Sequence, residues 1–158
     1  MGLDIYARWG EVIKVVNGDY VYEELYGWDN TGEWSDYYKN QITGFEAAPE
    51  SGYLRESWGS LRWVNEFCES AGCPQLYGFF DDWRGSNGEE MQVNSGKLEL
   101  LKQHRENLIK WLASSKMPDD DEARKEHRIF VGRVRRVIGF INFVEVHKDK
   151  KNLVVIFG

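Results

Sequence analysis

Residues Ile129–Val146 read IFVGRVRRVIGFINFVEV, and whether this stretch is one helix or a pair of strands decides the fold class. Its Val and Ile content favours strands, because branched side chains fit a pleated sheet. Its spacing favours a helix. Phe130, Val134, Val137, Ile138, Ile141 and Val144 recur every three or four positions, which matches a 3.6-residue period better than a two-residue one. Pro118 followed by Asp119-Asp120-Asp121-Glu122 suits a helix start, where acids meet the positive end of the helix dipole. The reading is therefore a long helix, with Arg128, Arg135 and Arg136 off its apolar stripe.

Working outward, Leu153–Phe157 is a continuous apolar run and reads as a buried strand. Upstream, Ser95 can cap a helix over about 97–114 that turns Leu98, Leu101, Leu108 and Leu112 inward. Residues 81–94 read as a loop and Leu76–Phe80 as a strand. Ser51 can cap a helix over about 52–71, with Leu54, Trp58, Leu61, Asn65 and Cys68 on its inner face and Gly72 and Pro74 ending it. Leu3–Trp9 alternates apolar and polar residues, Gly10-Glu11 reads as a turn, and Val12–Val16 as the partner strand. Asn17-Gly18 is a favoured hairpin turn, with a further strand at Tyr20–Tyr22. Residues 27–52 are irregular. The sum is a single domain over 1–158 of α+β class, a mostly antiparallel sheet (N-terminal hairpin plus C-terminal strand) packed by about three helices.

The chain of 158 residues is 42% hydrophobic and 29% charged, ordinary for a globular domain, but 15% aromatic with seven Trp. Charge is split along it. Residues 1–96 hold six Lys/Arg and seventeen Asp/Glu, a net of −11, whereas residues 97–158 carry a net of +5. An acidic chain lacks the dominant positive field that phosphate backbones require, so nucleic acid is not expected as a partner. No stretch reaches the roughly 18 apolar residues of a membrane span, and Met1–Trp9 lacks a secretory pattern, so a cytoplasmic protein is expected. Cys68 and Cys73 lie close enough in sequence to be bonded, and reduced thiols are the expectation.

Three histidines, His104, His127 and His147, each sit in charged stretches and read as solvated. No nucleophile elbow, zinc spacing or phosphate loop occurs. Neither a catalytic set, a metal site nor a cofactor is expected. Asp81, Asp82, Glu89 and Glu90 flank a glycine-containing loop and could hold a hard cation, and Asp81, Asp82 and Glu90 would hold a divalent ion in the alternative of a small metal-dependent hydrolase.

The pattern that points to function is aromatic and basic. Tyr53, Arg55, Trp58 and Arg62 are crowded into one predicted helix, and Trp83 and Arg84 follow in the next loop. On a helix, Arg55 and Arg62 would lie two turns apart along one edge, beside Trp58. Guanidinium forks match phosphate or carboxylate oxygens, and aromatic faces stack bases. These six residues are the candidate site for a small anionic ligand such as a nucleotide. A second surface lies in the acidic aromatic stretch Asp19–Glu50. There Glu23, Glu24, Trp28, Asp29, Glu33 and Trp34 could contact a protein partner, since aromatic anchors ringed by charge resemble interface hot spots.

The opening Met1-Gly2-Leu3-Asp4-Ile5-Tyr6 and the stretch Gly52-Tyr53-Leu54-Arg55-Glu56-Ser57-Trp58-Gly59 resemble a group of small, uncharacterised proteins of bacteriophages and prophages. That resemblance implies an accessory protein made in a bacterial cytoplasm and directed at the host. Such a protein would act by binding, sequestering a nucleotide signal of host defence or inhibiting a host protein, and not by catalysis. The oligomeric state stays open.

Overall fold

The computed structural model describes residues 2–16, 19–25, 52–79 and 90–157. Five strands and three helices occur among them, in the order β1 (Gly2–Val16), β2 (Asp19–Leu25), β3 (Tyr53–Ser57), α1 (Trp58–Ala71), β4 (Glu90–Gln92), α2 (Ser95–Ser114), α3 (Asp121–Val146) and β5 (Val154–Phe157). The class is α+β, as the periodicities predict.

β1 organises the sheet. Along one edge it pairs antiparallel with β3 through Gly2–Tyr6 and then with β2 through Arg8–Val16. Along the other edge Ile5–Arg8 pair with β5, which in turn pairs with β4. The C-terminal strand thus lies beside the N-terminal hairpin, as its apolar run leads one to expect. Val16 faces Asp19, so the connection is Asn17-Gly18, which lies outside the described residues. Gly10-Glu11 does not turn the chain. The strand runs through it, with shifts of register between Trp9 and Val12 and between Val12 and Lys14. An extra residue in one strand is accommodated as a bulge, which leaves pairing intact on both sides.

The second correction is larger. Residues 53–57, expected in a helix, form β3, and the helix begins only at Trp58. Ser57, not Ser51, is its N-cap, and its Oγ accepts from the Ser60 amide at 3.0 Å. Two features hold the chain extended before that cap. The Ala7 amide donates to the Gly52 carbonyl at 2.8 Å, continuing the β1–β3 ladder. A Cβ on Gly52 would stand 2.7 Å from the Phe143 ring, so only glycine lets β3 enter against α3. The inner face of α1 consequently differs from the predicted one. Val64 and Cys68 are buried and Leu61, Trp63 and Phe67 pack against the core, whereas Trp58 and Asn65 are exposed.

Two further segments depart from expectation. Leu76 and Tyr77 are both buried although adjacent, which a half-buried strand forbids; the chain makes a tight turn instead, with the Gly78 amide on the Gln75 carbonyl at 2.9 Å. Residues 90–92 of the predicted loop add β4 to the sheet.

α3 is the spine. Phe130, Val134, Val137, Phe140, Ile141 and Val144 have no exposed surface or almost none, each burial stabilising by about 1.5–3 kcal/mol. Asp120 caps it by accepting from the Ala123 amide at 3.0 Å, with Asp121 and Glu122 in the first turn. Arg136, off the apolar stripe, is nonetheless buried, because α3 is covered on more than that stripe. α2 packs on α3 through Leu101, Leu108 and the edge of Trp111, whose ring meets Phe130 at 5.5 Å. Arg105 ties the two helices by donating to Asn142 at 2.7 Å and pairing with Glu145, which holds the Glu145 carboxyl below its ordinary value.

Candidate functional site

The six residues predicted to share a ligand are dispersed by the β3–α1 boundary. Tyr53 is buried in β3, and its hydroxyl donates to Asp4 Oδ1 at 2.5 Å. Burial first, and then the Asp4 hydrogen bond, hold that phenol protonated well above its usual range. Arg55 lies across the β1–β3 ladder from Asp4, its Nε 4.0 Å from the carboxylate. Arg55 and Arg62 therefore do not share a helix edge. Trp83 and Arg84 lie outside the described residues. Of the second surface, Glu23 and Glu24 belong to β2, and Trp28, Asp29, Glu33 and Trp34 lie outside the described residues.

What the structure does bring together is Trp58 and Arg62. They stand one turn apart on the open face of α1 and line a groove of about 450 Å³ with Leu61, Asn65, Glu66, Glu69 and Gln75. Trp58 keeps 50% of its surface exposed, while Trp63, five residues on, is partly buried and packs against the core. The difference follows from the helical period of α1 and from which of its faces meets the core. With Ser57 as cap, positions 58, 62, 65, 66 and 69 fall on the outer face and 64, 67 and 68 on the inner one. Arg62 Nε donates to Glu66 Oε1 at 2.9 Å, and both side chains are largely exposed. Glu66, Glu69, Asn65 and Gln75 escape a reading that places Trp58 and Asn65 on the inner face of the helix. Asn65, Glu66 and Glu69 share the Trp58 face by their spacing alone, and Gln75 joins the groove from beyond the helix end.

A contrasting polar cluster lies beneath. Glu56 is 5% exposed, and its carboxylate accepts from the Tyr77 hydroxyl at 2.9 Å and pairs with Arg133 of α3. The Arg133 guanidinium also covers the Trp63 ring, 5.5 Å from its centroid. These groups clamp β3, the 76–79 turn and α3 together.

The histidines are not solvated either. His104 meets the Leu76 carbonyl at 3.1 Å beside Phe79. His127 is buried among Phe67, Trp111 and Phe130. Burial pushes the basicity of both below the ordinary histidine value. His147 stacks on Trp9 at 4.8 Å and contacts the Phe143 carbonyl through Nδ1 at 2.8 Å. No three His, Cys, Asp or Glu side chains among the described residues converge as a metal site would need. Asp81 and Asp82 lie outside those residues, and Glu90 opens β4.

No family model, curated protein or solved structure matches the chain. No helix among the described residues is long and apolar enough to cross a membrane.

Proposed function

We propose that this chain is a non-catalytic accessory protein of the phage type it resembles, which binds a protein of the bacterial host in the cytoplasm, and that the α1 groove around Trp58 is part of the contact surface. The observation that carries this reading is a half-exposed indole set among carboxylates on a rigid helix. Large aromatic side chains presented in this way are typical of residues that dominate binding energy. The acidic balance of residues 1–96 has the same sign as these carboxylates and would favour a basic partner.

The groove supports a protein partner better than a nucleotide. A phosphate would have to take Arg62 from Glu66 and sit beside Glu69, against two carboxylates. A lysine or arginine of a partner would meet those carboxylates favourably while an apolar neighbour covers Trp58.

A photo-reactive residue at position 62, expressed in bacterial cells, tests the reading. A host protein should be cross-linked, and the yield should fall at least tenfold with Trp58→Ala and clearly with Glu66→Lys plus Glu69→Lys. Thermal stabilisation by nucleotides, which a hundredfold excess over Kd would raise by about 2.7 kcal/mol, together with cross-linking indifferent to Trp58, would instead assign the protein to the small-anion class.

A further inference from the structure

Two thiols meet at the C-terminal end of α1. Gly72 takes a left-handed conformation, φ 65°, and its amide bonds to the Cys68 carbonyl. The Cys73 amide bonds to the same carbonyl at 3.0 Å. This is the six-to-one hydrogen bond of a Schellman cap, a motif in which the side chains four residues before and one residue after the left-handed position come into contact, usually as two hydrophobes. Here cysteines hold both places. Both are unbonded and buried.

We propose that Cys68 and Cys73 form an oxidisable dithiol that closes to an intramolecular disulfide across the α1 cap in the presence of peroxide. Disulfides require Cα atoms about 4.4–6.8 Å apart and Cβ atoms about 3.5–4.5 Å apart. The cap ties the Cys73 amide to the Cys68 carbonyl and so brings these two buried positions side by side, and that backbone bond persists when the sulfurs join. The pair also lies within reach of a small oxidant. Cys68 is fully buried, but Cys73 is 7% exposed and is flanked by exposed Gly72 and Gln75. The hydrogen bond from Cys73 favours the thiolate on Cys68. That thiolate attacks peroxide, forming an S–O bond and breaking O–O, and the departing hydroxide takes a proton to become water. Cys73 then attacks the sulfenyl sulfur, forming S–S and releasing the second oxygen as water. Two thiols and one peroxide give one disulfide and two waters.

The cross-link would fasten the end of α1 to the segment that carries Gln75 of the groove and Tyr77 of the Glu56 cluster. It stands on the cap geometry alone and is independent of what occupies the groove.

The full chain, treated with hydrogen peroxide under native conditions and then alkylated in denaturant, provides the test. Both thiols should disappear together, with a Cys68–Cys73 peptide recovered by mass mapping and both thiols restored by dithiothreitol. The melting temperature should rise by roughly 5 °C, as for a small closed loop in a domain of this size. Cys73→Ser should yield no linked peptide and leave a dimedone-reactive sulfenic acid on Cys68. Thiols that stay fully alkylatable, oxidation only to sulfonic acids, or disulfides between chains would overturn the proposal. So would an intramolecular bond that lowers the melting temperature, because the cap would then not be set for it.

Discussion

β3 and α1 adjoin at Ser57 and draw on the same residue types, yet they use them in opposite ways. In β3 the polar side chains turn to partners inside the fold: Tyr53 to Asp4, and Glu56 to Tyr77 and Arg133. On the open face of α1, Trp58 is half exposed and Arg62 pairs only along its own helix surface. An ion pair removed from water is part of the packing, and losing one partner strands a charge in a low-dielectric interior. An exposed pair four residues apart on a helix contributes about 0.3–0.5 kcal/mol and is screened by salt. The same chemistry is thus structural on one side of Ser57 and available for binding on the other.

Substitutions that break this contrast should rank accordingly. Glu56→Ala should have the largest effect, about 3–5 kcal/mol in urea unfolding, because it leaves Arg133 and the Tyr77 hydroxyl without the carboxylate. A loss below about 1 kcal/mol would mean that the cluster is hydrated and the contrast false. Tyr53→Phe removes one hydroxyl from Asp4 and should destabilise by about 1–2 kcal/mol.

Acid should sharpen the interior side further. His104 and His127 have folded-state pKa values below the free value of about 6.5, so the unfolded chain takes up protons first as pH falls. Stability should be complete above pH 6.5 and decline as pH drops through 6.5 toward the folded values, before the carboxylates titrate. Glu145, held down by Arg105, should add a second loss below about pH 4.5. Replacing both histidines with Gln should flatten the first step. Arg62→Ala belongs at the other end of the scale, within about 0.5 kcal/mol of wild type. Trp58→Ala should leave stability nearly unchanged and act on binding alone.

The long helix was legible because Ile129–Val146 carries its own evidence: the apolar spacing of α3 is a local property, and its acidic start needs no partner elsewhere. The expected inward leucines of α2 also take core positions, Leu101 and Leu108 buried and Leu98 and Leu112 packed against them. Trp111, buried and donating to the Ala71 carbonyl at 3.3 Å, was not readable from the same spacing. The candidate site was half legible. Trp58 and Arg62 were found by residue type, but Tyr53 and Arg55 were joined to them on a helix that does not extend that far.

The chain alone therefore determined its class, its spine and the motif that ends α1, since periodicity, caps and a left-handed glycine act over a few residues. Tertiary structure decided that Tyr53–Ser57 is a strand, because its hydrogen bonds come from Gly2–Tyr6, remote in sequence. It also decided which tryptophan faces water. The spacing of residues 58–71 is the same wherever the helix starts, so which of its faces is inner is set by the packing of Val64 and Cys68 in the core, and the pairing of β1 with β3 sets the boundary at Ser57.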